Sequence, residues 1–309
     1  MRAYFLQSAG EGMQLELREV PTPQPSASEL LVKIHASSLN RGEFLGGLGA
    51  AKPAGQEAAG EVSGSGERVM GRCVGGFAEY GLMDRSDAIP VPPNLSWEQA
   101  GAIPLAFLVV HDMLVAQGAL KPGEWLLVTG ISAGVGVAAL QAAKAIGARV
   151  IGTSGSSEKL AKLKTLGLDV AIHSRKPDFH RQVMQATAGK GVNLVVNNVG
   201  GTLFAECVRC LAYQGRLATV GYLDRTLKAE IDLDALHARR LRLFGVSNKH
   251  RSAEQRAETV RGFIADFLPY FASARLQPLI DKVFAFERLP EAKAYMESDA
   301  HLGKVAIRM

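Results

Sequence analysis

Gly134, Val135, Gly136 and Ala139 stand in the spacing GxGxxG/A inside WLLVTGISAGVGVAALQAAKAIGARVIGT, after a short apolar run and before a helical one. Strand, glycine turn and helix in that order bring backbone close to an anion without Cβ clashes. They also aim first-turn N–H groups and the positive end of the helix dipole at it. A pyrophosphate fits such a turn. The string alone is weak, because glycines are common wherever a strand turns into a helix. Its weight comes from standing at the first of a series of strands, and Gly130, Ser132, Ala133, Gly134 and Val135 are the residues expected to hold the phosphates.

The end of the next strand decides which dinucleotide would fit. NAD-binding sheets place an acid there, on the ribose 2′-hydroxyl. This chain reads Thr153-Ser154-Gly155-Ser156-Ser157 instead. Small hydroxyls and glycine leave room for a 2′-phosphate, and Lys159 and Arg175 supply charge to pair with it. Taken singly, Lys159 reads as a solvated helix charge and Arg175 as an ordinary loop residue. Their joint occurrence with the missing acid points to NADPH. Thr153 and Ser154 join the expected cofactor set, with Asn197 and Val199 after the fourth strand, Gly221 and Tyr222 after the fifth, and Phe244 and Val246 on the sixth.

Those strands are the elements that must position the turn. From Glu124 short apolar runs alternate with helical stretches: Leu126 to Thr129, Val150 to Thr153, Val170 to His173, Leu194 to Asn197, Leu217 to Val220 and Leu241 to Val246. Six strands joined by right-handed crossovers make a complete doubly wound parallel Rossmann sheet, so the fold class expected is α/β. Residues 1 to about 95 instead show short β-prone runs punctuated by Pro and Gly, and predict a small, mostly β domain. VPTPQPSASE reads as a surface connection, and Gly42 to Gly66 holds eight glycines. After Val246 the alternation stops. A helical run (Ala253 to Ala272), a strand (Leu279 to Phe286), a helix near Pro290 and a final strand (Lys304 to Ile307) are expected to complete the first domain. The expected division is 1–115, 116–247 and a return segment 248–309.

Composition narrows the class. The chain has 309 residues, 47% hydrophobic and 21% charged, ordinary values for a folded globular protein. A net charge of +5 favours anionic ligands without demanding nucleic acid. Three cysteines exclude a disulfide framework and any closed four-thiolate zinc lobe, so a cytoplasmic setting is expected. No targeting segment is visible, and Trp125 to Ala143 reads as strand, turn and helix in place of a membrane span. Cys207 and Cys210 form a CxxC without a second ligand pair, which predicts packing. His111 is the one histidine placed to be tested as a proton donor, against a plain core role. HARRLRLFG (His237 to Gly245) lacks interleaved aromatics, so nucleic acid is not an expected partner and its arginines read as solvated edge charges.

Taken together, MRAYFL, ELLVKIHASSLNRGEF, GQEAAGEV, GERVMG, GGFAEY, PPNLSWEQAGAIPLA, the glycine-turn segment, GRLATVG and HLGKVAIRM resemble the medium-chain dehydrogenase/reductase superfamily. The likeness is to its zinc-independent NADPH:quinone oxidoreductases, the zeta-crystallin-like family, and covers nearly the whole chain. It implies a GroES-like first domain, and it brings Lys304 of the final motif into the cofactor set. Zinc-dependent relatives hold catalytic metal with a Cys and the His of a GHE motif; the matching positions here are Asn40 and Gln56, which implies no zinc. Asn40 matches an asparagine kept near the nicotinamide; its alternative is a turn-capping role. Asn40 and Gln56 are thus the candidate catalytic hydrogen-bond donors. Three departures stand out: Ile131 in the turn, Leu45 and Ser174 where relatives carry tyrosines, and a short segment around Ser63 to Glu67. The resemblance also implies a homodimer paired through the Leu241 to Val246 edge. The expected activity is NADPH-dependent hydride transfer to a quinone or α,β-unsaturated carbonyl. Enoyl-thioester reduction and a non-catalytic NADPH- or RNA-binding role are the alternatives.

Overall fold

The computed structural model describes residues 1–9, 12–44, 52–248 and 250–309. The chain divides into two compact units, Met1–Leu108 with Ser252–Met309, and Val109–Arg251.

In the first unit β1 (Arg2–Ala9) and β2 (Gly12–Glu19) form an antiparallel pair. β3 (Glu29–Ser38), β4 (Glu57–Val62), β5 (Arg68–Arg72), β6 (Tyr80–Asp84) and β7 (Ile89–Pro90) belong to a larger sheet. The second unit carries β8 (Trp125–Thr129), β9 (Arg149–Ser154), β10 (Val170–His173), β11 (Val192–Asn197), β12 (Leu211–Thr219) and β13 (Arg242–Gly245). The chain then returns to the first unit with β14 (Ile280–Ala285) and β15 (Lys304–Arg308).

The six strands expected of the parallel sheet all form. They lie in the order β10-β9-β8-β11-β12-β13, with every pairing parallel. The order reverses between β8 and β11, which opens a crevice at the carboxyl ends of those two strands, where open α/β sheets bind ligands. β8 and β11 are buried on both faces, and Leu127, Val195 and Leu217 share one core with Phe179, Val183 and Leu211. Such strands read as continuous apolar runs, which is why they were legible. Helix Gly134–Ile146 follows β8 and ends at Gly147, whose φ of 96° supplies the left-handed cap that a side chain would resist.

In the first unit the sheet order is β14-β15-β3-β4-β5-β7, with β6 also on β3. β15 is antiparallel to β3, and its Val305 and Ile307 share a core with Tyr4, Leu6, Phe77 and Phe286. That burial, about 1.5–3 kcal/mol per large apolar side chain, anchors the return segment. Past Ile103 the chain runs as α-helix from Pro104 to His111 and then as a π-turn over Asp112–Ala116, where Gln117 N–H donates to Asp112 O at 2.9 Å. The apolar periodicity does not register that inserted residue, because every position there stays buried up to Leu114.

Candidate functional site

Two clusters carry chemistry, one in each unit. In Val109–Arg251 the turn after β8 begins at Gly130, with φ of 60°, and Ile131 N–H donates to Thr153 O at 3.0 Å, tying the turn to β9. Ala133 takes the N-cap position of the following helix in extended conformation, and no side chain caps it. The N–H groups of Gly134, Val135 and Gly136 therefore face outward with no intrahelical acceptor, as a phosphate site requires. A Cβ on Gly136 would stand 2.7 Å from Ile131 backbone atoms, and one on Gly152 would stand 2.4 Å from the Ile131 side chain. Ile131, buried completely, thus fills space left by a glycine of the second strand. The bulk that departs from the family pattern is absorbed inside the sheet.

At the end of β9, Ser132 and Ser154 hydroxyls meet at 3.1 Å, and Ser156 caps helix Ser157–Thr165 by accepting from Lys159 N–H. Arg175 lies across the strand end. A Cβ on Gly155 would come within 1.8 Å of its Nε, so only glycine lets that arginine fold over the backbone. His173 Nε2 lies 3.1 Å from Gly155 O, and Ser174 bonds Asp178. The residues present fit a 2′-phosphorylated dinucleotide: an uncapped helix start for the pyrophosphate, and a carboxylate-free strand end under a guanidinium.

On the far side of the crevice the structure gives Asn197 a different part from direct contact. Its side chain is fully buried, Nδ2 donates to Gly200 O at 2.9 Å, and Oδ1 accepts from Thr129 Oγ1, Val199 N–H and Gly200 N–H. It shapes the turn that carries Val199, whose Cγ2 would lie 3.3 Å from a Cβ on Gly130. Gly221 packs on Asn198 O, Tyr222 is exposed, Phe244 is half-buried beside Ala218 and Val246 is buried.

In the other unit a polar cluster is buried where β3, β4 and β15 meet. Lys304 Nζ donates to Asn40 Oδ1 at 2.7 Å, Glu57 Oε1 at 3.0 Å and Leu39 O at 3.2 Å. Its three protons are all committed, which leaves none for a cofactor atom. Asn40 Nδ2 donates to Glu57 Oε1 at 2.7 Å, so the amide is held at both ends. Ser38 Oγ also donates to that oxygen, and Leu105 N–H donates to Glu57 Oε2 at 2.7 Å. Glu43 accepts from Asn40 N–H and Gln56 N–H. Burial, then the neighbouring Glu57 charge, pushes its carboxyl up to about 8. The Gln56 side chain is half-exposed and accepts or donates no hydrogen bond among the described residues. Leu45, one of the departures noted above, lies outside the described residues.

Sequence reasoning missed Glu43 and Glu57. Each stands beside a residue it singled out, in NRGEF and GQEAAG, but an acid in an otherwise ordinary run carries no mark of burial. Cys207 and Cys210 are buried and burial raises both thiols, a packing role. His111 is buried, at 3% exposure. No three His, Cys, Asp or Glu side chains gather as a metal site among the described residues.

Comparison with known proteins places these features in a lineage. Residues 134–264 match the family model described as zinc-binding dehydrogenase. The chain is 30% identical over 309 residues to a phenolphthiocerol/phthiocerol polyketide synthase of Mycobacterium tuberculosis, a match covering 95% of this chain but 14% of that protein's length. It is 29% identical to the quinone oxidoreductase of Thermus thermophilus, solved also in complex with NADPH, with a TM-score of 0.85 and both chains covered completely. A mycobacterial protein complexed with NADPH is 27% identical, with a TM-score of 0.88 over 100% of both chains.

Proposed function

The chain belongs to the medium-chain dehydrogenase/reductase superfamily, an NADPH-dependent oxidoreductase by that descent, and from that premise we propose that it reduces quinones or α,β-unsaturated carbonyls without catalytic zinc. The observation that carries the cofactor choice is Arg175 folded over Gly155 at a strand end that bears no carboxylate. Lys159, on the helix capped by Ser156, adds the second charge. Gly134 to Gly136 would hold the pyrophosphate with backbone N–H groups, and the turn shaped by Asn197 borders the same crevice.

NADPH, when bound, supplies hydride from nicotinamide C4, and the chain's own residues do the rest. An acceptor taking up hydride develops negative charge on its oxygen. Asn40 keeps one Nδ2 hydrogen beyond the one given to Glu57, and it is fixed in direction by Lys304 and Glu57. A donor held in place before reaction stabilises an oxyanion without reorganising. Gln56, whose side chain makes no hydrogen bond among the described residues, offers a second donor. The same clamp argues against zinc, because an ammonium already sits on the Asn40 oxygen and an amide is a poor zinc ligand. A donor of this strength suits activated acceptors, whose enolate or hydroquinone charge is delocalised. A solvent proton completes the product.

The test is NADPH oxidation across a panel of quinones and enones. Turnover of several members is expected; none with any member overturns the reading. The likeness to a polyketide synthase favours a second acceptor class, enoyl thioesters. Crotonyl-CoA turned over in preference to quinones would select it. NADPH binding without any turnover would select a non-catalytic role.

We also propose that residues 1–115 and 248–309 form the substrate domain and 116–247 the dinucleotide domain. A homodimer through the Leu241–Val246 edge is proposed because β13 ends its sheet. Light scattering that shows a monomer at micromolar concentration would reject the dimer. Three cysteines without a disulfide fit a reducing cytoplasm.

A further inference from the structure

The second unit carries a concavity of about 770 Å³ at the end of the sheet opposite the glycine turn. Arg216 and Arg242 mark that end. They are direct neighbours on the parallel pair β12 and β13, in the row that also includes Leu194 and Leu126; Arg242 opens β13, and this row is the first that pairs β12 with it. The glycine turn leaves from the other end, beyond Thr129. With about 3.3 Å per residue, four residues of strand set the two ends roughly 10 Å apart, and the strands' own loops add to that.

Like charges on adjacent strands repel, so each needs an answer. Arg216 has one. Its Nη2 meets Glu124 Oε2 at 2.6 Å, Nε donates to Asn193 O at 3.1 Å and Nη1 donates to Ala119 O at 3.0 Å. That arrangement also neutralises Glu124, the one carboxylate in the wall of the concavity among the described residues. Lys121, Arg240 and Arg242 line the same space and make no ion pair among the described residues. Three uncompensated cations therefore converge on one hollow. The wall is also built rigidly: Gln214 and Arg240 sit in left-handed backbone, with φ of 58° and 53°, and Gln214 N–H donates to Arg239 O at 2.7 Å, tying the two sides together. Beside the cations Tyr213 presents its ring at 62% exposure. Phe244 of the same stretch lies half-buried beside Ala218, and the fold brings a more exposed aromatic, Tyr213, from β12.

We propose that this hollow is a second ligand site, distinct from the dinucleotide turn, for a small molecule carrying phosphates on a planar ring, the chemistry of a nucleoside diphosphate. Three cations match two or three negative charges. The ring of Tyr213 offers a stacking face for a base. The volume lies within the range of small-molecule sites, which favours a free nucleotide over a strand of nucleic acid. The proposal does not rest on the reading of the cofactor turn.

ADP is the probe, titrated calorimetrically into the full-length chain with NADPH saturating, so that the turn is filled. Binding of one ADP is expected. Arg240→Asn with Arg242→Ser should weaken it at least about tenfold, since charge-assisted hydrogen bonds are lost. Asn tolerates the left-handed backbone at 240, and unchanged NADPH affinity confirms an intact fold. Tyr213→Ala should weaken ADP yet leave pyrophosphate binding as it was. Lys159→Ala with Arg175→Ala should leave ADP binding unchanged. Leu241 and Arg242 of the wall also belong to the edge proposed for the dimer, so light scattering alongside separates lost binding from a change of oligomeric state. The proposal is overturned by absence of ADP binding under these conditions, by a signal indifferent to Arg240 and Arg242, or by one that depends on Lys159 and Arg175. It is equally overturned if a single-stranded oligonucleotide binds through Arg240 and Arg242 while ADP does not.

Discussion

Lys304 with Glu57 in one unit is a buried ion pair and Arg216 with Glu124 in the other a partly buried one, and their surroundings differ in a further respect. Arg216 is answered by one carboxylate and two backbone carbonyls, a closed and neutral arrangement. Lys304 is answered by Glu57, a carbonyl and the Asn40 amide, and a second buried acid, Glu43, stands nearby with no cation of its own. A pair that serves only to hold strands together ends in balance. A cluster that orients a side chain for chemistry carries a leftover group whose protonation is poised near neutrality.

Removing the cations breaks that comparison most strongly. Lys304→Met leaves buried carboxylates unanswered and should cost about 3–5 kcal/mol in denaturant unfolding, with turnover falling because Asn40 loses its orientation. Arg216→Met should cost stability on the same scale while kcat of the surviving folded fraction stays unchanged. Equal loss of kcat in both would erase the distinction.

Glu43 gives a pH signature that the Arg216 pair lacks. Its folded carboxyl titrates at about 8 against an ordinary 4.5, so the folded chain keeps a proton that the unfolded chain releases. This group's contribution is most favourable at acid pH, declines as pH rises from about 4.5 to about 8 and is level above, a change of a few kcal/mol. Glu43→Gln should flatten the fall of Tm across that window, whatever its effect on the baseline. A parallel fall in both proteins would refute the assignment.

The next effect is on rate alone. Asn40→Ala should lower kcat/KM by about 100-fold with little change in NADPH affinity, the usual scale for loss of one oxyanion donor. An unchanged rate would reduce Asn40 to a capping residue. Smallest is the change in cofactor preference. Lys159→Ala with Arg175→Ala should reduce the preference for NADPH over NADH by about tenfold, read from Kd values, because these exposed cations are screened by solvent.

The parallel sheet was legible because β8, β9 and β11 are buried on both faces and so appear as unbroken apolar runs between glycines. The uncapped helix start was legible for the same local reason, since the strand, turn and helix are contiguous. The Asn40 cluster was legible only in part. Asn40, Gln56 and Lys304 were marked by resemblance, but that Lys304 faces inward onto Asn40 required β15 to pair with β3, 265 residues earlier in one of its contacts. The π-turn at Asp112 and the aromatic beside the basic stretch escaped for a similar reason: neither disturbs a local pattern.

The succession of strands along the chain, the phosphate-binding turn and the absence of an acid at the end of β9 were all readable beforehand, because each is written in residues a few positions apart and governed by backbone sterics and burial. Which charges are answered emerged only from the folded chain. Whether Glu43 keeps its proton, whether Lys304 has a hydrogen to give and whether Arg242 has a partner depend on groups brought together across strands, and the energy of a buried charge is set by those neighbours.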